Sequence, residues 1–409
     1  MTPSRIPLEL RILLHDVELG RIVLDDNDST EFRLSRGYLE RVERPVLGQV
    51  FEDDLTAVHR SRMRLPPFFA NLLPEGRLRE LVAGRAEVAP DREFFLLGLL
   101  GSDLPGAVRA VPAEGSLTPG DEGSANSAIS PRPGPLKFSL AGVQLKLSMV
   151  REGRGMTLPA SGHGGDWIVK LPGTHYVGVP ENEFATMRWA GLAGIQVPEV
   201  DLLPMSAVAG LPPGLDAAEG NAFAIRRFDR VERGLRVHIE DFAQVRNQYP
   251  DYRGKYLSTN YETLGKLILR IAGTRSFEEF IRRLAFIVVI ANADAHIKNW
   301  SLIYPDGRHP ELSPAYDLVS TIEFIEQDYL ALNLARNKDW SEVRLSHFVR
   351  LAERIGAEPG TVSEIVRETV TRALDAWPTV RTNLPVSALL IERLEGHWRR
   401  LPLLEDVRP

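Results

Sequence analysis

The chain has 409 residues, 49 basic and 55 acidic side chains, a formal net charge of −6 and no cysteine. That length exceeds one core, because single cores stop growing near ~250–300 residues, so two or three lobes are expected. The lack of cysteine removes disulfides, thiolate zinc sites, iron–sulfur clusters and cysteine nucleophiles, and mild acidity argues against a chain that coats nucleic acid unaided. The longest apolar run, Leu284 to Ala291, is far shorter than the ~20 residues of a membrane span. The start, MTPSRIPLEL, shows no signal-peptide pattern, so a soluble cytoplasmic protein is expected. Only seven of the 49 basic residues are lysines: Lys137, Lys146, Lys170, Lys255, Lys266, Lys298 and Lys338. A compact ammonium does phosphate chemistry that a planar guanidinium does not, so each retained lysine is worth attention.

In chain order, Leu8, Leu10 and Ile12 share one parity, and Leu19 to Leu24 reads as a second strand after a short turn. Residues 34–100 read as mostly helical, with a break at Pro74-Glu-Gly76. The stretch 111–136, rich in Pro, Gly, Ser and Ala, reads as a flexible linker and marks the first boundary. Strand-like runs follow at Phe138–Leu140, Leu145–Val150, Trp167–Leu171 and Phe223–Phe228, interrupted by a helix from about Glu183 to Ala193. From about residue 240 the pattern is helical. Ser276 and Glu279 fit a capping box that opens a helix running into apolar AFIVVIA, which predicts a buried central helix. Two more helices, around Ser346–Ile355 and Val362–Trp377, are expected to end at Gly356 and Pro378. The parts are thus 1–110, a small mixed subdomain; 111–136; 137–235, a strand-rich lobe; and 236–409, a helix-rich lobe.

The buried helix delivers the chain into Ala291-Asn-Ala-Asp-Ala-His-Ile-Lys-Asn-Trp300. A short strand, a Pro305-Asp306-Gly307 turn and a second extended piece then lead to Asp317, and a hairpin would return Asp317 towards Asp294 and Asn299. Two carboxylates and a carboxamide at a hairpin root suit magnesium bound to phosphate. Asp294 and Asn299 have the D-x-x-x-x-N spacing of a kinase catalytic loop, with Asp317 further on in the required order. Upstream, Lys170 lies in the apolar strand Trp167–Leu171 and either snorkels or pairs, with Glu183 at the next helix as the partner to expect. Ala141, Gly142 and Val143 could offer backbone N–H groups to phosphates, with Lys146 nearby. His296 is either a second base or a structural hydrogen-bonding group, and Lys298 either neutralises a transferring phosphoryl group or bridges Asp294.

Taken in order, these blocks resemble the HipA family of bacterial toxin kinases. The resemblance rests on SLAGVQLKLSM, DWIVKLP, VPENEF, FAIRRFDR, HIEDFAQV, ANADAHIKNWSLIY and LSPAYDLVS, with FFANLLPEGRLRE and LLGSDLPGAVRAVP upstream. It implies an α+β, two-lobed protein-kinase-like fold with a small mixed amino-terminal subdomain, a strand-rich N-lobe and an all-helical C-lobe. It further implies a serine/threonine protein kinase using ATP and Mg2+, with Asp294 as catalytic base and Asn299 and Asp317 holding the metal. Lys170, Lys146, Lys298 and the loop Ala141, Gly142, Val143 and Gln144 would meet the phosphates, Arg226 to Phe228 the adenine, and Ser139 would be an autophosphorylated, self-inactivating serine. Leu145 and Arg226 stand where the family pattern is more often acidic. The implied partners are a HipB-like helix-turn-helix antitoxin, DNA mainly through that antitoxin, and a translation-related substrate such as an aminoacyl-tRNA synthetase. A small-molecule kinase and an antitoxin-binding co-repressor are the competing functions.

Overall fold

The computed structural model describes residues 8–25, 27–113, 145–159, 164–173, 176–211, 218–231, 234–325 and 329–407. The alternating first segments fold as β1 (Leu8–Leu14) and β2 (Val17–Leu24), followed by β3 (Ser29–Leu34). Helices α1 (Arg36–Leu39) and α2 (Gln49–Glu52) lead to β4 (His59–Arg62). Helices α3 (Pro67–Ala70), α4 (Gly76–Arg85) and α5 (Glu93–Leu100) precede β5 (Val108–Pro112). The five strands form an antiparallel sheet in the order β4-β3-β2-β1-β5.

The second sheet runs β10-β7-β6-β8-β11-β9. Its strands are β6 (Lys146–Glu152), β7 (Gly155–Thr157), β8 (Trp167–Lys170), β9 (Val200–Pro204), β10 (Val208–Ala209) and β11 (Asn221–Arg226). Because strand side chains alternate, this sheet has two apolar faces. Leu147, Met149, Val169, Ala222 and Ala224 join one core with β1, β2 and α5. Phe223 and Ile225 point the other way, into a core with α6 (Val179–Leu192) and the helical lobe. The amino-terminal subdomain and the strand-rich lobe therefore share a core, although the composition shift at 111–136 separates them in sequence.

The carboxy-terminal lobe is helical apart from one small sheet, formed by β12 (His238–Asp241), β13 (Ser301–Tyr304) and β14 (Glu311–Leu312). Its helices are α7 (Phe242–Val245), α8 (Tyr261–Val289), α9 (Leu345–Ile355), α10 (Pro359–Asn383), α11 (Ala388–Trp398) and α12 (Leu403–Val407). Leu284 to Ile290 are buried all round, which makes the end of α8 the centre of the lobe. Two of the expected helix-end signals act otherwise. Ser276 does not cap a helix itself: non-helical Gly273 (φ 80°) divides the run Tyr261–Val289 into two helices, the second starts just ahead of Ser276, close to the expected place, and the Ser276 hydroxyl accepts the Leu312 N–H. Pro378 does not end α10, because it lies on the exposed side, where water can serve the carbonyl it leaves without a donor. Gly356 does stop α9, as a left-handed cap at φ 78°.

Candidate functional site

The site is built where the ends of these elements converge. Lys146 and Lys170 are register partners on β6 and β8, and Lys170 is in turn opposite Phe223 on β11. Two ammonium groups facing each other across a strand pair repel and need an anion between them. Asp317 supplies it, accepting from Lys170 Nζ and lying 3.3 Å from Lys146 Nζ through both of its oxygens. Lys170 Nζ also donates to Glu183 Oε1 at 2.5 Å. Glu183 sits one turn inside α6, which begins at Val179 rather than at Glu183. Asn182, its neighbour, accepts from Ser320 N at 2.9 Å and donates to Ser320 O at 3.1 Å. One helix therefore holds both the strand lysine and the segment that carries Asp317.

Electrostatics follow this geometry. Burial would raise the Asp317 pKa, but the two lysines outweigh it and hold the carboxylate well below its usual range. Burial pushes Glu183 up, opposed by Lys170. Lys170 is held above the ordinary lysine value because Asp317 and Glu183 overcome its desolvation. For Lys146, burial prevails and lowers the pKa. Asp317 also adopts φ 54°, a left-handed backbone that L residues adopt rarely, and such strain collects at functional sites.

The segment Ala291 to Trp300 lies alongside. Asn299 Nδ2 donates to the Asp294 carbonyl at 2.8 Å, and Asp294 N donates to Asn292 Oδ1 at 3.0 Å. Thr321 braces the start of the loop, accepting from Ala293 N and donating to Ala291 O. Asn292, Asn299, Tyr316 and Asp317 border one small recess at the end of α8. The Asp317 carboxylate and the Asn299 carboxamide are hard oxygen donors of the kind Mg2+ prefers. Among the described residues, no cluster of three or more His, Asp or Glu could hold a metal by itself. The residues thus fit an ion that takes the rest of its shell from water and phosphate.

The expected residues are distributed as follows. Asp294, Asn299, Asp317, Lys170 and Lys146 come together. Phe228 lies beside them, its ring 5.7 Å from that of Tyr316. Arg226 turns outward towards Glu199 at 3.7 Å, and its N–H and that of Arg227 already serve Glu199 O and Asp166 O. Of the three backbone N–H groups from Arg226 to Phe228, that leaves the Phe228 N–H without a partner among the described residues. Lys298 differs from expectation. It bridges neither Asp294 nor the recess, because Asn71 Oδ1 at 2.7 Å, Asp241 Oδ2 at 3.1 Å and Glu75 Oε1 at 3.5 Å enclose its ammonium. Ser139 and the loop Ala141, Gly142, Val143 and Gln144 lie outside the described residues.

Three participants were not foreseen: Tyr256, whose hydroxyl donates to Asp294 Oδ1, and Glu75 and Asn71 from the amino-terminal subdomain. Sequence spacing holds no signal for them, since they reach the loop across 38 to 227 residues. His296 is buried, packs edge-on against Tyr256 at 5.0 Å, and its Nδ1 has no partner among the described residues. Burial pushes its pKa down to about 3, so the ring is neutral.

Comparison with known proteins bears on the family and the fold. Residues 10–111 match the HipA N-terminal domain, and residues 138–377 match the HipA-like C-terminal domain. The chain is 46% identical over 385 residues to "Putative kinase Y4dM" of Sinorhizobium fredii, covering 92% of this chain and 93% of that one. It is 26% identical over 351 residues to the serine/threonine-protein kinase toxin HipA of Shewanella oneidensis, covering 73% and 76%. Its fold matches HipA in the solved Shewanella oneidensis MR-1 complex of HipA, HipB and operator DNA, with TM-score 0.74 at 20% identity over 97% and 98% of the two chains. Among the described residues, no helix is long and apolar enough to cross a membrane. With both family domains matched in order along the chain, the protein belongs to the HipA family and is a kinase.

Proposed function

We propose that this kinase is an ATP- and Mg2+-dependent serine/threonine protein kinase of the HipA toxin type. The observation that carries the reading is Lys170, held between Glu183 and Asp317 beside the Asp294–Asn299 loop. Lys170 and Lys146 would meet the nucleotide phosphates, Asn299 and Asp317 would hold Mg2+, and Asp294 would accept the proton of the substrate hydroxyl. The metal would supply charge neutralisation between phosphate oxygens. The remaining work of the site is positioning, which the Asn182, Asn292 and Thr321 hydrogen bonds support. In this reading Ser139 is the self-phosphorylated residue. Added phosphate charge there would be repelled by ATP phosphates and would silence the enzyme.

A HipB-like antitoxin is the proposed partner, supported by the HipA–HipB–operator DNA complex of the structural relative. With a net charge of −6, this chain would meet DNA mainly through that partner. The proposed substrate is a translation-related protein, an aminoacyl-tRNA synthetase being the first to try. The test is incubation with γ-labelled ATP and Mg2+, alone and with cell lysate. Label on Ser139 and on one lysate protein, both lost in Asp294→Ala, is the expected result. Label on a metabolite alone would favour a small-molecule kinase, and no labelling with no nucleotide binding would overturn the proposal.

A further inference from the structure

We infer that Tyr256 is a positioning residue that aims the Asp294 carboxylate, and that Glu75 of the amino-terminal subdomain holds Tyr256 in place. The inference rests on the kinase reading, in which Asp294 takes the acceptor proton.

Tyr256 lies in a wide π-type turn, Arg253–Leu257, ahead of α8. Turns of this kind are rare and recur at functional sites. Its hydroxyl donates to Asp294 Oδ1, while Oδ2 accepts no hydrogen bond among the described residues. The ring is flanked by Tyr252 and His296, with centroids 5.0 Å away in each case, so its direction is fixed. Glu75 stands behind this turn, in the segment between α3 and α4. Its carboxylate pairs with Lys255, next to Tyr256, and lies 3.5 Å from Lys298, next to Asn299. One carboxylate from the amino-terminal subdomain thus touches the chain neighbours of both a positioning hydroxyl and a metal-site carboxamide. Asn71 adds a second tie, accepting from Lys298 at 2.7 Å and donating to Gln248 O at 2.7 Å.

With one oxygen held by Tyr256, Asp294 presents the other to an incoming hydroxyl. As the acceptor oxygen bonds to the γ-phosphorus, its proton passes to Oδ2. The bond from the γ-phosphorus to the bridging oxygen breaks, and ADP leaves with the electron pair. Misaiming a reacting group costs rate more than binding.

The test uses full-length protein, γ-labelled Mg-ATP and the rate of self-labelling against ATP concentration. Nucleotide binding is read separately, as the thermal shift produced by Mg-ADP. Tyr256→Phe should lower the maximal rate about ten- to hundredfold, with half-saturating ATP and the Mg-ADP shift unchanged. Glu75→Gln should lower the rate less, and should add under about twofold to Tyr256→Phe, because both act through one hydroxyl. Lys255→Met repeats the Glu75 arm if the buried Glu75 change impairs folding. A full rate in Tyr256→Phe, a lost Mg-ADP shift in that variant, or effects of the two changes that simply multiply would each overturn the inference. A wild type that neither labels itself nor shifts with Mg-ADP would overturn the kinase reading and this inference with it.

Discussion

Two buried ion clusters adjoin β11, one just past its end and one at Lys170, the register partner of Phe223, and they are built from different cations. In one, Arg227 reaches Asp229 at 2.8 Å, while Arg230 reaches Asp229 at 2.7 Å and Asp103 at 2.9 Å. Gly106 N closes it with a 2.8 Å hydrogen bond to Asp229. Planar guanidiniums occupy both Asp229 oxygens, and the Arg227 side chain is 0% exposed. In the other, Lys170 and Lys146 converge on Asp317, whose side chain is 23% exposed and whose backbone is left-handed. Burial would raise both aspartates, yet both are held well below the ordinary carboxylate range by adjacent cations. Charge and burial therefore do not separate a structural cluster from a working one. What separates them is fixed forks against movable ammoniums, a sealed carboxylate against an open one, and relaxed against strained backbone. The arginine cluster fastens the amino-terminal subdomain to the strand end. In the proposed reading, the lysine cluster gives up Asp317 when phosphate arrives.

The largest effect expected is on catalysis at the open cluster. Asp317→Asn and Asp294→Ala should each lower phosphoryl transfer by about 10²-fold or more. The thermal midpoint should fall in Asp317→Asn, because Lys146 loses its anion, but by less than at the sealed cluster, because Lys170 keeps Glu183 at 2.5 Å. A large loss of stability there would erase the distinction between the clusters.

The converse belongs to the sealed cluster. Asp229→Asn leaves Arg227 and Arg230 buried with too little negative charge, and breaking such a pair costs about 3–5 kcal/mol. A lower urea midpoint, with the labelling rate per folded molecule unchanged, is the expected signature. If the rate fell while the midpoint held, the arginine cluster would have to be counted as part of the site.

A smaller effect probes the choice of cation. Lys170→Arg asks a planar fork to fit between Glu183 and Asp317, and should raise the ATP needed for half-maximal labelling, while Lys338→Arg should be silent. Lys338 donates to the Ala331 carbonyl, away from the site. Lys255 reads from sequence as an equally indifferent control, but its pairing with Glu75 beside Tyr256 disqualifies it.

That reversal shows where sequence is informative. Order and spacing carried the site groups that are close in sequence, Asp294 with Asn299, or that belong to marked strands and turns, Lys170, Glu183 and Asp317. Alternation gave the strands, and the all-round apolar run gave the buried end of α8. What spacing could not carry is convergence of distant segments. Glu75 meets Lys255 across 180 residues, and Asn71 meets Lys298 across 227. The enclosure of Lys298 hides for the same reason: its local neighbours suggest a phosphate contact, and its actual partners come from β12 and the amino-terminal subdomain. A compositional boundary likewise says nothing about packing, so the shared core of the first two regions appears only in three dimensions.

A further buried carboxyl sharpens the comparison, because no cation among the described residues is bonded to it. Glu240 on β12 is 0% exposed and takes hydrogen bonds from Tyr304 OH and from Gln49 N at 3.1 Å. Burial dominates these bonds and lifts its pKa from 4.5 to about 8. Without a partner of either cluster's kind, the group stays neutral in the folded protein at pH 7. The sign of its pH effect follows. Between about 4.5 and 8 the folded state binds a proton that the unfolded state has released, so stability falls as pH rises through that window and is level on either side. Urea midpoints measured at pH 6 and pH 8.5 should therefore drop for the wild type and drop less for Glu240→Gln, which keeps the shape and cannot ionise. Equal slopes in the two proteins would mean that Glu240 is charged when folded, and that its hydrogen bonds alone do for it what lysines do for Asp317.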